Sequence, residues 1–258
     1  MAELVIISVA ALGTSLLTFF SGFGLGTILM PVFAIFFPVD LAIALTGVVH
    51  FLNNLFKLSL VGLKADWQTV LRFGVPAFIA ALGGAYVLVQ VSDLDPLYEY
   101  TIGDKVYAIT PVKLTIAVLL IFFSLIEVMP GFKNLQFGKS KLVIGGLLSG
   151  FFGGLSGHQG ALRSAFLIKS NLTKEAFIAT GIVIACIVDF SRLGIYYTHL
   201  SGGVLKENLT LILAATLSAF AGAYLGNMLL KKVTLRGVQL IVTVMLVGLS
   251  VALGMGVV

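Results

Sequence analysis

The sequence predicts an all-α, polytopic helical membrane protein. It is built as two inverted-topology repeats of about five helical segments each, with broken or re-entrant half-helices at the centre. Three observations predict this. The 258 residues are 59% hydrophobic and only 10% charged, with a mean hydropathy of +1.11, whereas a soluble domain carries about 25% charged residues to wet its surface. Ten apolar segments follow one another, most of them near the roughly 20 residues that a helix needs to cross a bilayer. Short motifs of the first half also recur in the second, in the same order, around two glycine-rich breaks.

The first segment, 4–21, follows Met1-Ala2-Glu3, which supplies no basic lead, so it reads as a retained span rather than a cleaved signal. It runs into the break Ser21-Gly22-Phe23-Gly24-Leu25-Gly26, and the next segment, 24–37, is short and contains Pro31. Segments 40–62, 68–90 and 111–128 complete an N-terminal repeat over residues 1–128. A basic connector, 129–140, leads to a C-terminal repeat over 141–258. That repeat opens with 141–156 and the break Gly153-Gly154-Leu155-Ser156-Gly157-His158-Gln159-Gly160. The short segment 160–170 follows, then 174–198, 205–230 and 234–256. Backbone interrupted at membrane depth is tolerated only where protein or water surrounds it, so both breaks mark an interior site.

The formal net charge of +5 does not point to nucleic acid, because the basic residues stand at segment ends. Lys64 and Arg72 flank one connection, and Lys133, Lys139 and Lys141 fill the central one. Lys169 and Lys174 flank the second short segment, and Lys231, Lys232 and Arg236 join the last two. The opposite connections hold Asp93, Asp95, Glu99 and Asp104 against Lys105, and the stretch around His199 is nearly neutral. The positive-inside rule puts the basic connections in the cytoplasm and both termini outside. The single cysteine, Cys186, lies in an apolar run, so neither a disulfide framework nor a metal cluster is expected.

Thr46-Gly47 matches Thr180-Gly181 within an Ala-x-x-x-Thr-Gly element (180 − 46 = 134), and Gly84-Ala85-Tyr86 matches Gly222-Ala223-Tyr224 (222 − 84 = 138). Each break falls just before its element. Five segments per half is an odd number, so the second half enters the membrane upside down, an arrangement typical of secondary transporters.

These features resemble the TauE/SafE sulfite exporter family over nearly the whole chain. The features are the first glycine break, the short proline-containing segment with Pro31 and Pro38, the repeated Ala-x-x-x-Thr-Gly element and the central basic loop. The resemblance implies a permease in a bacterial inner membrane that moves sulfite, thiosulfate or an organosulfonate such as sulfoacetate, generally outward. Many members carry a glycine triplet at each break, whereas here the second reads Gly157-His158-Gln159-Gly160.

The chemistry of the residues also suits an anion. A half-helix that starts at mid-membrane aims unsatisfied N–H groups and the positive end of its dipole at whatever lies there. Gly22, Gly24, Gly26 and Gly160 let an anion approach the backbone closely. Arg163 lies about one turn into the second half-helix, with His158 and Gln159 at its mouth, and could add charge-assisted bonds to an oxoanion. His50, Asn53 and Asn54 fall near mid-membrane, where polar groups also serve as interhelical glue. At the offset of 134, Leu55 pairs with Asp189, and Arg192 follows three residues later on the same helix face. Asp189 and Arg192 either neutralise each other or touch the substrate path.

No cofactor or metal is expected, and no catalytic residue. The expected partners are the lipid bilayer and a small anionic substrate, with no nucleic acid; a homodimer is left open. The alternatives are an intramembrane serine protease of rhomboid type, with a Ser156–His199 dyad, and a passive anion channel. The long gap from Asn54 to Ser156 counts against the protease.

Overall fold

Ten helices occupy the ten apolar segments in a computed structural model that describes residues 1–18, 24–61, 64–128, 137–199, 206–229 and 235–257. In chain order they are α1 (Ala2–Thr18), α2 (Leu25–Ala34), α3 (Val39–Val61), α4 (Trp67–Ser92) and α5 (Pro111–Val128), then α6 (Leu142–Ser156), α7 (Gly160–Leu167), α8 (Lys174–His199), α9 (Leu209–Leu229) and α10 (Leu235–Gly254). Helices α3, α4, α8 and α9 are each long and apolar enough to cross a bilayer. Helices α2 and α7, at ten and eight residues, rise only about 15 and 12 Å, well short of a bilayer core of about 30 Å. The chain is an all-α, multi-pass membrane protein.

One element departs from the sequence reading. The acidic connection after α4 holds an antiparallel hairpin, β1 (Tyr98–Ile102) and β2 (Lys105–Ile109), with Ile102 paired to Lys105 across Gly103-Asp104. Gly103 has φ +62°, the left-handed conformation that a two-residue hairpin turn needs. The cross-strand pair Tyr100–Tyr107 stacks with ring centroids 5.4 Å apart.

Two helix crossings carry much of the packing, and both rest on small residues. Helix α6 presents Gly146, Gly150 and Gly154 at four-residue spacing, and a Cβ on each would collide with the backbone of Phe73, Ala77 and Ala81 of α4. Both sets advance together, so α4 and α6 run in the same direction with their backbones in contact. Small residues every fourth position permit this approach between helices in lipid. In the same crossing Gly84 leaves no room for a Cβ against Phe151 O and Leu155 N. At the other crossing, Gly222 of α9 does the same against Leu12 O and Leu16 N of α1. The two contacts correspond, since Gly222 follows Gly84 by 138 residues and Phe151 follows Leu12 by 139.

Pro76 lies inside α4 and lacks the N–H that would reach the carbonyl of Arg72. The turn ahead of it, Val70–Gly74, widens into a π-helix, which accommodates the missing bond.

The ends of the helices sort onto two faces. On one face, His199 Nε2 stands 3.5 Å from Asp93 Oδ1. There Tyr100 donates to Met255 O at 2.5 Å and Lys113 Nζ to Gly256 O at 3.3 Å, so the hairpin sits against the end of α10. On the other face, Asp66 N donates to Thr180 Oγ1 at 2.8 Å and Phe137 N to Ala165 O at 3.4 Å. The second bond joins the approach to α6 with the last turn of α7, so α6 and α7 form a helical hairpin that starts and ends on one face.

Candidate functional site

Each of the two short helices follows a glycine that holds an unusual backbone angle. Gly24, preceding α2, has φ +123°, and Gly157, which ends α6, has φ +81°, both in the region where a side chain is strained. Neither α2 nor α7 has a side-chain cap, so their first N–H groups are not covered by a capping side chain. The breaks meet: a Cβ on Gly26 would stand 3.7 Å from Gly157 O and the same distance from His50 Cδ2. Gly160 opens α7 and is buried. Gly22 lies outside the described residues, as do Ser21 and Phe23.

Around this junction α3, α7 and α8 bring together the polar residues singled out from the sequence. Asp189 is fully buried and accepts four hydrogen bonds. Arg192 Nε and Nη2 reach its Oδ1 at 3.0 and 2.8 Å, and Gln159 Nε2 reaches the same oxygen at 3.2 Å. His50 Nδ1 meets Oδ2 at 2.6 Å. The carboxylate can only accept, so Nδ1 carries the hydrogen, and Nε2 faces Asn54 Nδ2 at 3.4 Å. Arg163 Nη1 donates to Gln159 Oε1 at 3.1 Å, which extends the network onto α7. Asn53 turns toward α1, where Ser15 donates to its Oδ1 at 3.3 Å. His158 Nδ1 bonds Ser156 O at 3.0 Å, and its ring lies parallel to Phe123 of α5, centroids 6.0 Å apart and interplanar angle 4°.

The two arginines seat against the repeated glycines. A Cβ on Gly47 would come within 3.3 Å of the Arg192 guanidinium, and one on Gly181 within 3.6 Å of Arg163 Nε. A larger residue at either position would compress a buried charge. Arg163 is 3% exposed, so it does not reach out to the membrane edge.

Lys57 of α3 completes the cluster and was missed from the sequence. It is 6% exposed and lies within electrostatic range of Arg163. Its signal was present: Lys57 is one turn beyond Asn53 and Asn54 on the same helix face. At the offset of 134, Leu55 and Asp189 differ in burial. Leu55 is 44% exposed, whereas Asp189 is fully buried. A shift of one residue matches the burial: Asn54 with Asp189 (189 − 54 = 135), Leu55 with exposed Phe190, and Lys57 with Arg192.

Among the described residues the buried ionic groups are then Lys57, Arg163 and Arg192 against Asp189 alone, an excess of basic side chains. Among the same residues, seven buried side-chain atoms have no hydrogen-bond partner, and two of them, His158 Nε2 and Arg192 Nη1, flank the second break. An unsatisfied buried polar atom costs about 1–3 kcal/mol, more when charged, so each of these atoms is a costly feature of the fold. The Ser156–His199 dyad does not form: Ser156 donates to Phe152 O at 3.0 Å, and His199 Nε2 faces Asp93.

Comparison with known proteins agrees with this architecture. A family model described as sulfite exporter TauE/SafE matches residues 6–253. Neither curated proteins nor solved structures gave a match.

Proposed function

The chain belongs to the sulfite exporter TauE/SafE family, and from that premise we propose that it exports a small sulfur oxoanion through a site at the junction of the two breaks. Sulfite, thiosulfate and organosulfonates such as sulfoacetate all present the several acceptor oxygens that guanidinium groups bind well. The observation that carries the reading is the buried excess of Lys57, Arg163 and Arg192 over Asp189. A net positive cluster in an apolar layer is costly, and an entering anion offsets that cost.

In this reading the substrate-binding groups are Arg163, Arg192, His158, Gln159 and the backbone at Gly22, Gly24, Gly26 and Gly160. Asp189 holds Arg192 in place, His50 and Asn54 support Asp189 from α3, and Asn53 ties α3 to Ser15 of α1. Residues 1–128 and 141–258 act as the two repeats, joined by 129–140, and rock about the junction to expose it alternately to each face. The corresponding crossings at Gly84 and Gly222 support treating them as related units. The basic connections face the cytoplasm of an inner membrane and both termini face outward. With the cytoplasm negative, outward movement of one negative charge gains about 2.3 kcal/mol per 100 mV, so export needs no coupled ion.

Purified protein in liposomes tests this. Sulfite loaded inside should leave faster through native protein than through Arg163→Ala or Arg192→Gln, with both variants eluting as folded protein. Full flux through both variants would remove the junction from the path. In detergent, a bound anion should raise the unfolding temperature as RT ln(1 + [L]/Kd), and a panel of sulfite, thiosulfate and sulfoacetate would rank the cargo.

A further inference from the structure

The unpartnered atoms at the junction differ in kind, and the difference identifies a ligand. Arg192 Nη1 is a donor: the guanidinium is 1% exposed, its other nitrogens hold Asp189, and Nη1 has no acceptor. It points at the second break, where a Cβ on Gly157 would lie 3.1 Å away. His158 Nε2 is the opposite. Ser156 O can only accept, so His158 Nδ1 carries the ring hydrogen. In the neutral ring Nε2 is therefore a bare acceptor, on a side chain 5% exposed, and it too has no partner. The ring cannot turn freely to find one, because Phe123 lies parallel to it and Nδ1 is anchored.

A fully deprotonated oxoanion satisfies Arg192 but offers nothing to a bare acceptor. A ligand that satisfies both atoms must carry negative oxygens and an O–H together. We infer that the site takes a monoprotonated oxoanion, hydrogensulfite in the sulfite case, with its oxygens on Arg192 Nη1 and its O–H donated to His158 Nε2. This deepens the export reading and rests on it. His158 is then the residue that separates hydrogensulfite from thiosulfate and from sulfonates, which present no O–H on the head group at neutral pH. A site built to hydrogen-bond a hydroxyl discriminates strongly against an analogue lacking it, because its own polar atom is left unpaired.

The test uses the full-length protein in detergent at mildly acidic pH, with hydrogensulfite and methanesulfinate as probes. Methanesulfinate keeps the pyramidal monoanionic head and replaces the hydroxyl with a methyl group. Native protein should bind hydrogensulfite at least about tenfold tighter, and His158→Phe should level the two ligands. The chain has three histidines, so ¹⁵N labelling gives a second readout that needs no variant: the His158 Nε2 resonance should move with hydrogensulfite and stay with methanesulfinate. Equal binding of both probes by native protein would overturn this inference and leave the export reading standing. So would a preference that survives in His158→Phe, or a silent Nε2 resonance. Binding of neither probe, nor of any anion in the wider panel, would overturn both.

Discussion

His50 Nδ1 stands 2.6 Å from Asp189 Oδ2, a contact that ties α3 to α8 across 139 residues of chain. Asp189 is the one buried acid among the described residues, and it holds His50, Gln159 and Arg192 at once. Removing it would leave Arg192 buried without its counter-charge. Asp189→Ala should therefore cost about 3–5 kcal/mol of stability, and the double variant with His50→Ala should cost less than the sum of the two. Reversible unfolding in detergent measures both, and additive effects would show that the contact is not coupled.

The α4–α6 crossing has no space for a side chain at Gly150, whose Cβ would strike Ala77. Gly150→Leu should force the helices apart and abolish recovery of folded protein. Gly83 and Gly13 have nothing within 4 Å of an added Cβ, so alanine at either should be neutral or stabilise by up to about 1 kcal/mol. Thermal melts of the three variants separate close packing from mere helix propensity.

Lys57 contributes charge beside Arg163. Lys57→Met keeps the side-chain volume but removes the charge, and anion affinity should fall about tenfold, or about 1.4 kcal/mol. Unchanged affinity by calorimetry would place Lys57 outside the site.

Asp66 caps α4: its Oδ1 accepts from Thr69 N at 2.8 Å. The bonds from Thr69 hold its carboxyl below the usual carboxylate range. A depressed value means that the stabilisation is complete above the unfolded-state value near pH 4 and fades as pH falls through the folded one. Asp66→Ala should cost about 1 kcal/mol at neutral pH, and the gap to native protein should close in acid. A gap that persists at low pH would argue against the cap.

The orientation has a direct test in a Cys186→Ser background, which removes the native thiol. Asp104→Cys, in the hairpin turn, should react from outside intact cells with an impermeant maleimide. Lys139→Cys should react only after lysis. The reverse pattern would invert the topology.

Helix positions were readable because lipid demands long apolar runs, and every one of the ten segments became a helix. The breaks were readable because glycines clustered within an apolar run weaken a helix at that point. The hairpin at 98–109 was not, since five-residue strands in an acidic connection carry a weak periodic signal against much stronger helical ones. Lys57 escaped the sequence reading because a lysine near a helix end reads as interfacial, and nothing local says that the fold will bury it.

The sequence by itself determined the solvent, the class, the ten segments, the two breaks and the family. Each depends on composition or short-range pattern, which lipid and backbone hydrogen bonding translate directly into helices. Only the tertiary structure decided which polar residues share a site. Asp189 faces His50 of α3 while Leu55, its counterpart at the offset of 134, is exposed, because helix phase is set by side chains packing across the interior. The unpaired atoms of Arg192 and His158 were likewise invisible in sequence, since a missing partner is a property of everything that surrounds a side chain.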